Sequence, residues 1–372
     1  APPEDGRLPD ASVSPTDVAF IGFTSGSTGE PKPIRTSHEA LYRSTEAAQH
    51  LFAFGPDDIF CTSTAFSALS AFRSLVTLPF LSGGRVMIPS AEARHHPLAL
   101  ALECQTFGVT RLTAVPNVLR GLVKAEARLP HGCLSSLKTA FSGSGVLDQP
   151  TARMFRSTFG VDVVDYYGGR EFATACYSEP DADDTMSAGG GMVSNALACL
   201  VDHAHIPVPV GGIGEIVVHS DCLTLSELPS ISDEGPWAGW HFTGDLGRRM
   251  EDGRLEIVGR RKDIVKTQDG ELVNPAEVEG FLNEMPEILE ACVFGWSGDD
   301  AVERLAAAVL LSNTIDQGFE DRARAHILEI AGSYKVPSHV FAMDTLPRVA
   351  QNKPDKIALK EHFLKTILKQ AF

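Results

Sequence analysis

The sequence has no long apolar run. Its most apolar stretch, "LVTLPFL" at residues 75–81, is far too short to cross a bilayer, so no membrane span is expected. Basic residues are outnumbered, 32 Lys and Arg against 48 Asp and Glu for a formal charge of −16. Duplex binding needs a clustered basic surface to neutralise phosphates, and nucleic acid is therefore excluded as a partner. Cysteine is sparse, and the seven residues at 61, 104, 133, 176, 199, 222 and 292 are odd in number with no close pair. That spacing excludes a zinc ribbon or a redox motif and points to reduced, mostly buried thiols in a cytoplasmic protein. The opening "APPEDGRLPDASVSPTD" lacks the basic and apolar regions of a signal peptide and reads as a linker over residues 1–16. Internal repeats and long charge runs are also missing.

What is present is ordinary globular material: 372 residues, 43% hydrophobic and 22% charged, enough for two or three domains. Apolar runs alternate with helix-like segments over the first 170 residues or so. Residues 37–54 read as a capped helix, 83–89 as a strand, 96–108 as a helix, 109–115 as a strand and 116–127 as another helix. The alternation predicts an α/β fold, a layered and mostly parallel sheet with helices. Around 185–260 short strands with many turns predict a small β-rich subdomain, and a small mobile α+β domain follows. The expected division is a linker at 1–16, a core at 17–261 and a C-terminal domain at 262–372.

The stretch "GFTSGSTGEPKPI" at 22–34 is a poor helix and a poor strand. Gly26 and Gly29 permit backbone angles that other residues resist, Thr24, Ser25, Ser27 and Thr28 add hydroxyls, and Lys32 adds a positive charge. Following the strand-like "DVAFIGF", such a loop suits an anion, phosphate first among them. It is not a nucleotide P-loop, because Glu30 and Pro31 stand between Gly29 and Lys32.

Four further stretches complete the pattern: "DYYGGREFA" (165–173), "GWHFTGDLGRR" (239–249), "GRRKDIVKTQDGELVNPAEVE" (259–279) and "LPRVAQNKPDKIALK" (346–360). With the loop at 22–34 they make five matches in order, and the chain resembles the adenylate-forming (AMP-binding) superfamily, most like an acyl-CoA synthetase. The resemblance implies ATP-dependent activation of a small-molecule carboxylic acid to an acyl-AMP, then transfer to a thiol. Coenzyme A is the expected acceptor; the phosphopantetheine of an acyl carrier protein is the alternative. A non-catalytic nucleotide-binding member is a further one. No Asp stands in "AFSALSAF", where peptide-synthetase domains hold an α-amino group, which argues against an α-amino acid.

The resemblance also implies roles. Thr24 to Gly29 and Lys32 would hold the β- and γ-phosphates of ATP, and Gly143, Ser144 and Gly145 would lie along the adenine. Asp165, Tyr166, Tyr167 and Gly168 fall in the adenine motif, with Asp165 at the amino group and Tyr167 against the ring. Glu171 stands where the family places an acid near Mg²⁺, and Asp245 and Arg260 where it contacts the ribose. A carboxylate with two oxygens suits two adjacent hydroxyl donors. Lys262 marks the hinge, and Lys353 is the lysine that a rotating C-terminal domain brings to the carboxylate and α-phosphate. Three departures stand out. Arg170 replaces the usual Thr, whose hydroxyl touches the α-phosphate. Phe66 is followed by Ser67 and no histidine. Members also carry a longer stretch ahead of the phosphate loop, so a missing segment or a partner is expected to cover the shortened first domain.

Overall fold

Ser37 sets the start of the first long helix. Its hydroxyl accepts the Ala40 N–H at 3.0 Å, and helix His38–Phe52 runs until Ala53 takes a left-handed conformation with φ 45°. Helices Pro97–Phe107 and Pro116–Lys124 each begin on a proline, where the missing N–H has no intrahelical partner to lose. The computed structural model describes residues 12–24, 32–94, 96–145, 147, 149–178, 191–226, 228, 231–268, 270–298, 300, 302–312, 318–348 and 354–367.

The central sheet has seven strands. Arg85–Val86, Ile59–Thr62, Arg111–Ala114, Thr139–Ser142 and Val163–Gly169 lie side by side in parallel. Ala173–Tyr177 and Gly191–Met192 then extend the sheet antiparallel. The sheet is mixed because the chain reverses at residues 170–172 instead of crossing over through a helix. Both faces of the sheet are covered. Leu100, Leu119, Leu122 and Phe155 pack on one face against Leu112 and Val163. Phe54, Phe60, Phe141 and Val164 pack on the other with Ile216 and Leu255.

Ile216 and Leu255 belong to a four-stranded antiparallel sheet of Ala196–Val201, Ile213–Ser220, His241–Arg249 and Leu255–Arg260, the β-rich part expected from the sequence. Beyond it, strands Ile288–Ser297, Glu303–Leu311 and His339–Ala342 form a three-stranded sheet. Helices Pro275–Asn283 and Phe319–Ala331 close over it with their own core of Val278, Leu282, Val293, Val309 and Ile327.

All seven cysteines are free and six are buried. Among the described residues no helix is long and apolar enough to cross a membrane, and no cluster of three metal-ligating side chains occurs. Beside the edge strand Arg85–Val86, Phe80 and Ile88 are 86% and 70% exposed.

Candidate functional site

Parallel strands deliver their chemistry at their C-terminal ends, the edge where ligands bind open α/β sheets. Thr139–Ser142 runs there into Gly143, Ser144 and Gly145, and Val163–Gly169 carries Asp165, Tyr166, Tyr167 and Gly168 past it. Gly143 has to be glycine: a Cβ would lie 2.2 Å from Cζ of Tyr166. Ser144 adopts φ 65°, a left-handed conformation uncommon for a residue with a side chain. At Gly168 a Cβ would meet the Ala173 carbonyl at 2.2 Å, so the hairpin closes only without one.

The β-rich sheet brings Asp245 to this edge. Asp245 lies directly across from Arg260, whose Nε pairs with Oδ1 at 2.8 Å. The Tyr167 hydroxyl donates to Oδ2 at 2.8 Å. Thr243 steadies the turn by accepting the Asp245 N–H at 3.0 Å and donating to the Ile216 carbonyl. Glu215 accepts the Gly244 N–H and pairs with Arg261 at 2.8 Å. Burial raises the Asp245 carboxyl above its ordinary value, and the Arg260 charge and the Tyr167 hydrogen bond oppose that. A carboxylate has about four lone-pair sites. Two are used here, which leaves one on each oxygen for a pair of hydroxyls.

Asp245 and Arg260 line a cleft of about 150 Å³ with Gly168, Gly169, Glu171, Phe172, His241, Phe242 and Thr243. The structure thus gathers Tyr167, Gly168, Glu171, Asp245 and Arg260. Asp165 lies deeper: its Oδ1 is buried without a hydrogen-bond partner among the described residues, and burial pushes the carboxyl up to about 8. Its N–H donates to the Ser178 hydroxyl at 2.7 Å. Tyr166 turns away from the cleft and lines a separate small cavity.

Arg170 has no ion pair or hydrogen bond among the described residues, Glu171 included. Its stem passes Gly22, where a Cβ would lie 3.7 Å from Arg170 Cδ. Gly22 belongs to strand Val18–Thr24, which pairs antiparallel with Lys32–Ser37 and places Thr24 opposite Lys32. Ser25, Gly26, Ser27, Thr28 and Gly29 lie outside the described residues, as does the side chain of Thr24. The arginine therefore stands beside the root of the glycine-rich loop. Burial lowers its pKa from the ordinary guanidinium value, and the Glu171 charge opposes this. Glu171 itself is half-buried in the cleft lining.

Lys262 is exposed just past Arg260, ahead of the hairpin Val265–Lys266 with Leu272–Val273. Lys353 lies outside the described residues, but both ends of its loop are placed. Arg348 and Pro354 bridge each other, and the Asp355 N–H donates to the Pro347 carbonyl at 2.8 Å. Arg348 pairs with Glu290, and Glu290 accepts Asn117 Nδ2 at 2.7 Å. Asn117 follows Pro116, which packs on Gly145. The loop root is thereby fastened beside the glycine-rich segment.

Sequence reasoning missed this Asn117–Glu290–Arg348 contact, because its members are scattered and none sits in a motif. It also missed His241, four residues before Asp245 within "GWHFTGD". Burial, reinforced by Arg260, pushes that imidazole down to about 4, and its Nδ1 is buried without a partner among the described residues. Arg73 went unnoticed as well, although one arginine inside the apolar "SAFRSLV" was a signal.

The family model described as AMP-binding enzyme matches residues 2–226, and that of the AMP-binding enzyme C-terminal domain matches 277–353. The chain is 28% identical to sulfoacetate–CoA ligase of Cupriavidus necator over 96% of its own length and 70% of that protein's. It is 27% identical to Tyrocidine synthase 2 of Brevibacillus parabrevis over 92% of its length, but spans only 10% of that protein. The anthranilate CoA ligase AuaEII, solved with anthranoyl-AMP, has the same fold, with a TM-score of 0.86 at 23% identity over 99% of this chain and 71% of that one.

Proposed function

The chain belongs to the AMP-binding enzyme family, and on that premise we propose that it joins a carboxylic acid to a thiol through an acyl-adenylate, coenzyme A being the thiol. The observation that carries this reading is the Asp245 carboxylate, held by Tyr167 and Arg260 with one lone pair free on each oxygen. The 2′- and 3′-hydroxyls of a ribose offer two adjacent donors to such an acceptor.

In the first half-reaction a carboxylate oxygen attacks the α-phosphorus of ATP. The new O–P bond forms as the bond to the β-phosphate breaks, and pyrophosphate leaves with the electron pair. The loop from Thr24 to Lys32 holds the β- and γ-phosphates, Gly143 to Gly145 lie along the adenine, and Arg170 grips the α-phosphate bidentately. Mg²⁺ is coordinated in many sites by one or two carboxylates and the substrate phosphates, and Glu171 in the cleft lining fits that donor set. Bound there, the ion would neutralise phosphate charge. Lys353, on the loop fastened near Asn117, stabilises charge developing on the carboxylate and α-phosphate.

In the second half-reaction the residues after Lys262, which marks the boundary of a C-terminal domain at 262–372, turn so that a thiol reaches the adenylate. The thiol loses its proton to solvent, its sulfur attacks the acyl carbon, the C–O bond to AMP breaks, and AMP departs with that electron pair. The separate core of the C-terminal part supports such a turn. The phosphopantetheine of a carrier protein presents the same arm, and the likeness to Tyrocidine synthase 2 keeps that acceptor as the second reading. Incubation with ATP, Mg²⁺ and an acid mixture, with either coenzyme A or a phosphopantetheinylated carrier, decides between them. Mass spectrometry should find acyl-CoA; an acylated carrier without acyl-CoA would reassign the acceptor.

A further inference from the structure

Arg73 is 7% exposed and makes no ion pair among the described residues. Of its five N–H donors, one from Nη1 reaches the Thr174 hydroxyl at 2.7 Å, while Nε is buried without an acceptor among the described residues. The guanidinium stands 5.9 Å from the centre of the Tyr166 ring. A buried cation without a counter-charge is costly, and a protein core built for packing alone has no use for one. The backbone is irregular at the same place. The helical run Leu69–Ser82 widens into a single i→i+5 turn at Arg73–Thr77, where the Leu78 N–H reaches the Arg73 carbonyl. Such turns are frequent at functional sites.

The guanidinium faces a cavity of about 20 Å³ walled by Phe52, Phe60, Ser74, Thr113, Phe141 and Tyr166. Ser74 and Thr113 bond each other at 3.1 Å. Tyr166 forms the wall toward the nucleotide residues, since it stands between Asp165 and Tyr167 and its ring abuts Gly143. The other cation in the lining, Arg111, already pairs with Asp58 at 3.1 Å. Arg73 is thus the lining cation with open donors.

We propose that Arg73 anchors a second anionic group on the acyl substrate, a short carboxylic acid whose far end is a carboxylate or a sulfonate. This rests on the acid-activating reading above and names its substrate class. A planar guanidinium binds either head group through paired N–H donors. The cavity has room for about one water. A compact charged head would take the place of that water and displace Tyr166, whereas an aryl ring or a long alkyl tail finds no space.

The test compares butyrate, benzoate, succinate and 3-sulfopropionate as substrates for ATP–pyrophosphate exchange, with wild type, Arg73→Met and Arg73→Lys. Wild type should favour succinate or 3-sulfopropionate over butyrate by about a hundredfold or more in kcat/KM, and the leading dianion names the head group. Arg73→Met should abolish that preference by lowering kcat/KM for the dianions far more than for butyrate, and Arg73→Lys should keep part of it. Preference of wild type for butyrate or benzoate, or an equal loss for all acids in Arg73→Met, overturns the proposal and leaves acid activation intact. If no acid supports exchange, acid activation itself fails. Calorimetric titration of succinate and butyrate into the ATP-loaded protein then decides separately: Arg73-dependent succinate binding supports the anchor, and its absence overturns it. Urea unfolding gives a further readout. A ligand-binding arginine predicts that Arg73→Met is as stable as wild type or more so, and a marked loss of stability would assign Arg73 to the core.

Discussion

Replacing Asp245 by Asn removes the charge and one acceptor oxygen while keeping the side-chain volume. In the free protein the carboxylate already serves Tyr167 at 2.8 Å and Arg260 at 2.8 Å. The two ribose hydroxyls must use the remaining lone pair on each oxygen, so the substitution weakens both bonds and deletes one. A hydrogen bond to a charged group contributes roughly 1.5–3 kcal/mol, and the amide retains one neutral acceptor. The expected net loss is about 3 kcal/mol, or roughly a hundredfold in the affinity for AMP. Titration calorimetry with AMP and 2′-deoxy-AMP measures it. Deoxy-AMP lacks one of the two donors, so its affinity should fall by only about tenfold on the same substitution. Arg260 is more than half exposed, and losing its partner should change stability little. Equal losses for the two nucleotides would refute the ribose assignment.

Lys353→Ala should slow adenylation by on the order of a hundredfold or more while sparing thioester formation from supplied acyl-AMP; single-turnover assays of each half-reaction check this, and an equal effect on both would reassign the lysine. Arg170→Thr should lower the affinity for a non-hydrolysable acyl-AMP analogue by about tenfold or more, as loss of a charge-assisted phosphate contact requires; tighter binding and faster exchange would mean that the guanidinium obstructs the site. Asp58 provides a pH test. Burial alone would raise its carboxyl, but Lys138, Arg111, the Gly55 N–H and Thr110 together hold it at about 2 against an ordinary 3.8. A depressed carboxylate stabilises the fold above its unfolded value and loses that contribution as pH falls from about 4 through 2. The amount is about 1–2 kcal/mol after screening around the half-exposed Lys138. Urea midpoints at pH 5 and pH 3 should differ by less in Asp58→Asn than in wild type.

The parts of the fold written in local patterns were legible in the sequence. Ser37 before an amphipathic run, Pro97 and Pro116 at helix starts, and the apolar strand at 18–24 all correspond to elements in the structure. Tyr167, Asp245 and Arg260 were legible as separate motifs, yet nothing local says that their side chains meet, because that depends on the strand register that puts Asp245 opposite Arg260. The mixed character of the sheet was hidden for a similar reason. Nothing local in "YGGREFA" marks a hairpin; the close approach of Gly168 to Ala173 makes it an antiparallel return. Asp165 was expected at the adenine, and its position gave no hint that Oδ1 would be enclosed. Arg73 was hidden because a charge in an apolar helix is usually solvated at its tip, and burial is a property of the packed molecule.

The measurement that tests the central claim most directly is acid-dependent ATP–pyrophosphate exchange, run with Mg²⁺ across a broad panel of carboxylic acids and paired with calorimetric binding of ATP. The account predicts exchange that needs both the acid and Mg²⁺ and falls to background in Lys353→Ala. Tight ATP binding with no exchange for any acid would contradict it and make the chain a nucleotide-binding protein without turnover.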